Sequence, residues 1–574
     1  MRRQTLRTAW TFGLATGAVM LYVTAVGIVL AFAERNVITG VVTLGRIMLA
    51  IPPLVAGYLV ARHGGLGARV GGGLLAGAIA GGVVAVALLF ASAVDVRPVL
   101  VRVSGSLLNF VAFDQDPPLG AALNLAVAAV LSLAGVGLRL LPSEMRRPII
   151  AGLFGVLVMS MLEPFLRPRL QEFELTFLAR FLYQGRGLSI VSALVMFGLA
   201  AGGALFWRPA RVMVRRRLSQ SGEDVRSTVR WATILVGIAL LVSLPQLAGP
   251  LLSQVLVLVG LYILLGLGLN IVVGYAGLLD LGYVAFYAVG AYFTALLTSP
   301  FSALGLGLPF LVALPIVILG SAIVGLLIGA PVLRLRGDYL AIVTLGFGEI
   351  ARILFLSDAL APWLGGVQGI PRVAPIFGTA TIDVPGLGWR LTGPTLTYYP
   401  LLVLCIIAAI VAYRLKYSRT GRAWNAMRED EDVAEATGVN TVNYKLLAFA
   451  LGAAVGCLGG AVFATHLVSV FPGSFSILVS ITVLSIVILG GMGSIPGVVL
   501  GSMALIGLPE LLREFAEFKL LVYGAVLVVM MLMRPEGLLP DYVRRRELHE
   551  ESAGFIAGSA AVGAPVGSGG GGGR

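Results

Sequence analysis

The sequence contains little charge, two cysteines and three histidines, and these scarcities exclude several classes of protein. Only 12% of the 574 residues are charged, whereas 58% are hydrophobic, so the chain lacks the polar surface that a soluble protein of this length needs. Cys405 and Cys457 both lie in apolar runs without a metal-binding or disulfide pattern. The histidines are far apart in the sequence, which argues against a histidine-rich metal site.

Lysine is rare as well, and its positions bear on ATP hydrolysis. None of Lys416, Lys445 and Lys519 follows a glycine, so the chain lacks the Gly-x-x-x-x-Gly-Lys-Ser/Thr loop that cradles nucleotide phosphates. A nucleophile elbow and a zinc-binding His-Glu-x-x-His motif are also absent from the sequence. We therefore expect neither an enzyme nor a bound cofactor or metal, with a membrane enzyme that has an unfamiliar site as the alternative.

Long apolar runs fill most of the chain. A helix needs about 20 apolar residues to cross the hydrocarbon core of a bilayer, and about 16 segments qualify as candidates. They are 9–33, 41–60, 70–94, 119–138, 148–166, 188–207, 231–248, 252–273, 281–298, 309–330, 339–357, 399–413, 446–466, 476–490, 496–508 and 520–533. We predict an all-α, polytopic membrane protein with about 16 transmembrane segments. The short or glycine-rich segments near the C-terminus are also compatible with re-entrant or broken helices.

The first apolar run is expected to remain as a transmembrane helix. Arginines precede it and Ala31-Phe32-Ala33 resembles a cleavage site, but the run 9–33 exceeds the roughly 7–15 apolar residues of a signal peptide.

The basic residues are distributed as in a membrane protein. Lys and Arg total 41 against 28 Asp and Glu, and most lie in loops that are cytoplasmic if the N-terminus is. These loops are at 62–69, 139–147, 208–230, 334–336, 414–422 and 544–546. The asymmetry follows the positive-inside rule, although the predicted outer loop 167–186 also carries four arginines. We predict cytoplasmic N- and C-termini in the inner membrane and no binding of nucleic acid.

A polar basic stretch divides the chain. We predict a membrane region of about six helices at 1–207, a cytoplasmic linker at 208–230, a membrane core of about ten helices at 231–545 and a disordered tail at 546–574. The tail ends in a glycine run and has no apolar periodicity.

The segment 270–292 combines glycines, tyrosines and one acid. Its glycines allow close helix packing or a broken backbone. Asp280 lies between two apolar segments; it fits either a functional intramembrane acid or a helix cap at the membrane interface.

A second acid lies within an apolar segment. Glu349 is eleven residues beyond Asp338, or about 16 Å into the bilayer if the segment is helical. Arg352 is three residues further on and can pair with it on the same helix face. The pair fits either a structural role or a place in a transport pathway.

The polar segment 420–438 interrupts the apolar runs. Ser418 or Thr420 can cap a helix that ends before Gly438. Trp424 and Met427 lie on one stripe among charged residues, which fits either an ordinary solvated helix or a helix that docks into a partner's groove.

Several motifs together resemble the permease subunits of branched-chain amino-acid ABC importers, specifically the LivM type. The resemblance covers about 252–541 and rests on motifs in one order, at 266–274, 274–283, 333–350, 421–431, 489–494 and 534–540. Leu-Gly-Gly-Met-Gly-Ser at 489–494 and Gly-Arg-Ala-Trp-Asn-Ala-Met-Arg-Glu-Asp-Glu at 421–431 are two of them.

The resemblance implies alternating access coupled to ATP. It implies that a second, LivH-like permease completes the pathway, that two cytoplasmic ATPases bind ATP and Mg, and that an extracytoplasmic binding protein delivers the substrate. The implied coupling residues are Gly421, Arg422, Trp424, Met427, Arg428, Glu429, Asp430 and Gly438. The substrate-pathway candidates are Asn270, Gly274, Tyr275, Gly277, Asp280, Tyr283 and Glu349.

The chain departs from the family pattern in two places. The region 1–230 adds about six helices before the core. Thr437-Gly438 follows Glu435-Ala436, which shortens the Glu-Ala-Ala-x-x-x-Gly pattern of general ABC permeases. Related permeases move urea, short amides or other amino acids, so these cargoes remain alternatives. A proton-coupled secondary transporter that uses Asp280 and Glu349 is the alternative from a different class.

Overall fold

The computed structural model describes residues 2–62, 65–220, 223–332, 335, 337–377, 382–384, 389–391 and 393–511, with 518, 524, 527–528 and 537–539. The chain divides into two compact units, Met1–Ala239 and Leu240–Arg574. The predicted tail 546–574, Arg334, Arg336 and most of the predicted segment 520–533 lie outside the described residues.

The first unit is helical, with one small sheet. Its helices are α1 (Arg2–Ala25), α2 (Ile28–Ala31), α3 (Leu44–Val60), α4 (Leu66–Ala93), α5 (Gly105–Val111), α6 (Pro117–Leu140), α7 (Ser143–Met161), α8 (Glu163–Glu172), α9 (Thr176–Leu182) and α10 (Ile190–Gln220). Its strands β1 (Asn36–Ile38), β2 (Val42–Thr43), β3 (Tyr183–Gln184) and β4 (Gly187–Leu188) form a sheet in the order β2-β1-β4-β3. β1 and β4 pair in parallel through Ile38 and Leu188, whereas the two outer pairs are antiparallel.

Small residues bring the helices of this unit close together. A Cβ added at Gly81 of α4 would lie 2.6 Å from the carbonyl oxygen of Asn124 in α6, and one at Gly77 would lie 2.5 Å from that of Ala128. Helices in lipid associate through such close packing because the surrounding acyl chains are as apolar as their side chains.

The second unit contains the remaining elements. Its helices are α11 (Glu223–Leu269), which begins before the boundary between the units, α12 (Val284–Thr298), α13 (Phe310–Val332), α14 (Asp338–Leu356), α15 (Ala361–Leu364), α16 (Pro394–Lys416), α17 (Arg419–Glu429), α18 (Glu431–Ala436), α19 (Thr441–Leu467), α20 (Ile477–Gly490), α21 (Ile495–Ser502) and α22 (Leu508–Leu511). Asn270–Tyr275 and Met503–Gly507 are π-helical, and Gly366–Gln368 and Pro472–Ser474 form short 3-10 turns. The strands are β5 (Ile370–Pro371), β6 (Ile382–Val384), β7 (Trp389–Leu391) and β8 (Ser469–Val470).

The core of this unit surrounds α12 and α19. A Cβ at Gly290 of α12 would lie 2.5 Å from the Cα of Cys457 in α19, so the two backbones are nearly in contact. The rings of Tyr287, Phe463 and Phe475 pack against one another with centroids 5.1–5.9 Å apart. The C-terminal end of α12 is fixed by Ser299, whose hydroxyl donates to the carbonyl of Pro371 at 2.7 Å.

The basic stretch predicted as a linker is mostly helical. α10 continues to Gln220 and α11 begins at Glu223. Within α11, Gly249 has φ 86° and ψ 176°, and Pro250 follows it, so the helical backbone is interrupted there. The predicted segments 231–248 and 252–273 thus lie on opposite sides of this interruption.

The polytopic, all-α class is confirmed, but the count of about 16 spans is not. Ten helices of the described residues are long and apolar enough to cross a membrane, or eleven if α7 and α8, bent by 65°, form one span. Four further predicted segments are shorter apolar helices, at Leu44–Val60, Leu235–Gln246, Val284–Thr298 and Ile495–Glu510. Hydropathy located these segments, but helix length depends on where turns and glycines interrupt the backbone.

Candidate coupling and pathway site

The glycine- and tyrosine-rich motif at 270–283 ends in a largely buried, non-helical connector. After α11 the π-helical turn Asn270–Tyr275 leads into residues 276–283, which have no regular structure before α12 begins at Val284. Gly277 adopts φ 73°, in the left-handed region that glycine enters without steric cost. We refer to residues 276–283 as the connector.

Asn270 joins the π-helical turn to the glycine-rich motif at 489–494. Its side chain is fully buried, and its Oδ1 accepts a hydrogen bond from the Gly493 backbone N–H at 2.8 Å. A Cβ at Gly274 would lie 2.7 Å from the same nitrogen. The glycine-rich sequence after α20 therefore serves to let this backbone approach the end of α11.

Tyr283 anchors the end of the connector to α19. Its hydroxyl donates to the carbonyl of Gly452 at 2.8 Å, and the side chain is almost wholly buried. A Cβ at Gly456 would lie 2.6 Å from that hydroxyl. The glycines in α19 thus leave the space in which the Tyr283 ring lies.

Asp280 is buried with only part of its hydrogen-bonding capacity used. Its Oδ1 accepts from the Gly282 N–H at 2.9 Å, while Oδ2 has no partner among the described residues. Thr344 of α14 accepts from the Leu281 N–H at 3.1 Å and so fixes the same turn. Burial raises the pKa of Asp280 to about 6, because the charged form loses its hydration. Asp280 therefore holds the connector's turn, and it does not cap α12, whose N-cap is Tyr283.

Arg428 connects the polar segment to the connector. Its Nη1 donates to the carbonyl of Gly274 at 2.8 Å. Its aliphatic part covers Gly277, where a Cβ would lie 3.0 Å from the Cβ of Arg428. Lys416 adds a neighbouring bond from Nζ to the carbonyl of Gly493 at 2.9 Å, and its Nζ is 5.9 Å from the centroid of the Tyr275 ring.

The polar segment consists of two short helices, α17 and α18, which we call the coupling helices. Ser418 caps α17 by accepting from the Gly421 N–H at 3.2 Å. Asp430 ends α17 and caps α18, with its Oδ1 3.0 Å from the N atoms of both Asp432 and Val433. Gly438 follows with φ 91°.

The Trp–Met stripe, which was predicted to belong either to an ordinary solvated helix or to a docking helix, faces inward. Trp424 has no exposed surface, and its Nε1–H donates to the Tyr444 carbonyl in α19 at 2.8 Å. Met427 and Gly421 are also buried. Arg422, Glu429 and Asp430 lie on the exposed side, together with Asp432 and Glu435. The outward surface of the coupling helices is therefore charged, because their apolar side is used to attach them to this chain.

A buried ion pair that the sequence analysis missed also holds α18. The Nζ of Lys445 lies 2.5 Å from a carboxylate oxygen of Glu431, and the Lys445 side chain is 5% exposed. Both residues line a cavity of about 160 Å³ with Gly277, Met427 and Arg428. The signal available in the sequence was a lysine four residues into the apolar helix α19.

Glu349 is placed apart from the connector. It pairs with Arg352 on α14, with Nε of Arg352 2.9 Å from Oε1. Thr344, which contacts the connector, lies five residues earlier, about 140° away around the helix. The structure therefore brings together Asn270, Gly274, Tyr275, Gly277, Asp280 and Tyr283 but not Glu349. No group of three metal-binding side chains occurs among the described residues.

Comparisons with known proteins give one consistent family. Residues 251–532 match the model of a family described as "Branched-chain amino acid transport system / permease component". The chain is 42% identical over 330 residues to the "High-affinity branched-chain amino acid transport system permease protein LivM" of Escherichia coli K12, covering 55% of this chain and 76% of that protein. The LivM protein of Salmonella typhimurium is 44% identical over 295 residues, covering 49% of this chain and 68% of that protein.

A second permease of the same system matches more weakly. The E. coli K12 protein described as "High-affinity branched-chain amino acid transport system permease protein LivH" is 24% identical over 296 residues, covering 48% of this chain and 91% of that protein. No solved structure gave a significant match.

Proposed function

Because the chain belongs to the LivM-type branched-chain amino-acid ABC transporter permeases, we propose that it is the membrane subunit of an ATP-driven importer that moves branched-chain amino acids inward. It works by alternating access together with a LivH-like permease. Two cytoplasmic ATPases bind the ATP and Mg, and an extracytoplasmic binding protein supplies the substrate. The N- and C-termini and the coupling helices lie in the cytoplasm.

The bond from Arg428 to the Gly274 carbonyl carries the mechanistic part of the proposal. The charged outer face of the coupling helices is the surface offered to an ATPase, and their buried side holds Arg428 on the connector. A displacement of α17 therefore moves the end of α11 and the start of α12. The helical backbone is already interrupted between these two elements.

The experiment is reconstitution of the complex from defined parts. The chain is purified alone and together with its second permease and ATPase subunits, and both preparations are placed in proteoliposomes with a leucine-binding protein outside. We expect ATP-dependent leucine uptake only for the complete complex, and no ATP hydrolysis by the chain alone.

Two outcomes would contradict the proposal. Uptake by the isolated chain that continues without ATP and collapses with an uncoupler would favour a proton-coupled transporter. Uptake of urea or a short amide in place of leucine, with the corresponding binding protein, would keep the ATP-driven mechanism but replace the cargo.

A further inference from the structure

The ion pair between Glu349 and Arg352 lies on an open side of a membrane-spanning helix. The Glu349 side chain is 39% exposed and that of Arg352 is 31% exposed. α14 meets the requirements for a membrane span over Tyr339–Leu356, and Glu349 is about 16 Å from its start and about 10 Å from its end. The pair is therefore close to the middle of the hydrocarbon layer.

Acyl chains are an unsuitable environment for this pair. A charged side chain at the bilayer centre costs several kcal/mol, and such residues face protein or a water-filled cavity. The described residues of this chain leave the pair open, and a second protein surface or an aqueous pathway would satisfy it.

The side of α14 that carries Glu349 is open in this chain and apolar around the ion pair, as expected of a helix face that another protein covers. Leu340, Thr344 and Gly348 are buried within the chain. The opposite side, which we call the α14 outer face, consists of Ile342, Gly346, Glu349, Ile350 and Ile353. A Cβ added at Gly346 would have no atom within 4 Å, so open space adjoins the carboxylate one helical turn away.

The pair also leaves two charged groups available to a ligand. Nε and Nη2 of Arg352 both donate to Oε1 of Glu349. Oε2 of Glu349 and Nη1 of Arg352 make no hydrogen bond to the described residues. An α-amino acid carries an ammonium group, which donates to a carboxylate, and a carboxylate, which accepts from a guanidinium. The ammonium and carboxylate of the amino acid therefore complement Oε2 of Glu349 and Nη1 of Arg352, respectively.

We propose, on the basis of the function proposed above, that Glu349 and Arg352 bind the zwitterionic head group of the amino acid in a pathway between the α14 outer face and the second permease subunit. The second permease is the partner because two different permeases of one transport system match this chain. Two related permeases provide matching surfaces for a pathway between them. The head group replaces water at the pair, while the aliphatic side chain lies against Ile350 and Ile353.

The first test compares charge removal with charge exchange in the complete ATP-driven complex. We expect Glu349→Gln and Arg352→Gln each to lower the rate of leucine uptake at least tenfold without loss of assembly or of basal ATP hydrolysis. In the double variant Glu349→Arg, Arg352→Glu, the two charges can still pair. We expect it to stay as slow as the single variants, because the ammonium and carboxylate sites have changed places.

Glu163→Gln is the matched control. Glu163 forms an ion pair with Arg167 in the first unit, at 3.3 Å, with the carboxylate four residues before the arginine on one helix. The substitution Glu163→Gln removes the same charge as Glu349→Gln, and we expect leucine uptake to remain at the wild-type rate. A second readout uses a leucine analogue with a photoreactive diazirine in its side chain, which should label the α14 peptide of the wild type but not of Arg352→Gln.

Three results would overturn the inference. The first is uptake at the wild-type rate by Glu349→Gln. The second is recovery of uptake in the charge-exchange variant, which would indicate a structural pair. The third is a photoreactive amino acid, introduced in place of Ile353, that crosslinks only to lipid. Each result is interpreted only if the wild-type complex transports leucine with ATP under the same conditions. Failure of the wild type itself would instead count against the proposed function.

Discussion

Arg428 is the residue that joins the coupling helices to the backbone just before the connector. Its bond to the Gly274 carbonyl is charge-assisted, and such a bond contributes about 1.5–3 kcal/mol. We expect Arg428→Ala to lower leucine uptake per ATP hydrolysed about tenfold or more, while the subunits still assemble. Arg428→Lys keeps the charge with a shorter reach and should be intermediate. Wild-type uptake per ATP in Arg428→Ala would contradict this assignment.

Gly277 is required by both its backbone conformation and its neighbour. At φ 73° an L-residue is strained by roughly 1–2 kcal/mol, and a Cβ would also collide with the Arg428 side chain. We expect Gly277→Ala to lower the melting temperature of the purified chain. Gly82→Ala is the control, because Gly82 lies in helix α4 with open space around its Cβ position; it should be neutral or stabilising.

Asp280 gives the chain a pH-dependent stability of predictable sign. The folded-state pKa is raised from 3.8 to about 6 by burial, so between these pH values the folded state binds more protons than the unfolded state. The free energy of unfolding therefore falls as pH rises through this range. Asn can keep the bond to the Gly282 N–H without a charge.

We accordingly expect Asp280→Asn to gain stability relative to wild type as pH rises from 4.5 to 7.5, by about 1–3 kcal/mol at the upper value. Melting temperatures of both proteins at the two pH values provide the measurement. An equal difference at both pH values would show that Asp280 does not titrate as inferred.

Trp424 and the ion pair between Lys445 and Glu431 attach the coupling helices to α19 as an element. Breaking a buried ion pair on one side costs about 3–5 kcal/mol, because the remaining charge stays buried. We expect Lys445→Met to release α18 and to expose α17–α18 to protease in the purified chain. The double variant Lys445→Met, Glu431→Gln removes both charges and should recover most of the protection. Equal cleavage of the single and double variants would mean that the pair's charge is not what holds α18.

For the whole molecule, the proposed orientation can be tested directly. In a chain in which Cys405 and Cys457 are replaced by Ala, we expect Asp432→Cys to react with a membrane-impermeant maleimide only after the cells are opened. Ala303→Cys, in the exposed turn between α12 and α13, should react in intact cells. Labelling of position 432 in intact cells would place the coupling helices on the outer side and remove the basis for ATPase coupling.

The sequence determined the features that depend on neighbouring residues. Apolar runs identified a helix at each predicted segment within the described residues, because lipid requires every backbone group to be paired within the helix. Ser418 or Thr420 was predicted to cap a helix in the polar segment, and Ser418 caps α17. Helix lengths were less predictable: α3 and α12 lie in predicted transmembrane segments but are among the shorter apolar helices.

Only the tertiary structure decided which way the functional side chains face. Trp424 packs inward against α19, and Asn270 accepts a hydrogen bond from the backbone of Gly493, 223 residues away. Lys445 of α19 forms an ion pair with Glu431 of α18. Glu349, by contrast, stays on the open side of α14. Sequence periodicity defines the faces of a helix, but it does not say which face meets the rest of the chain, because that depends on contacts between residues far apart in the sequence.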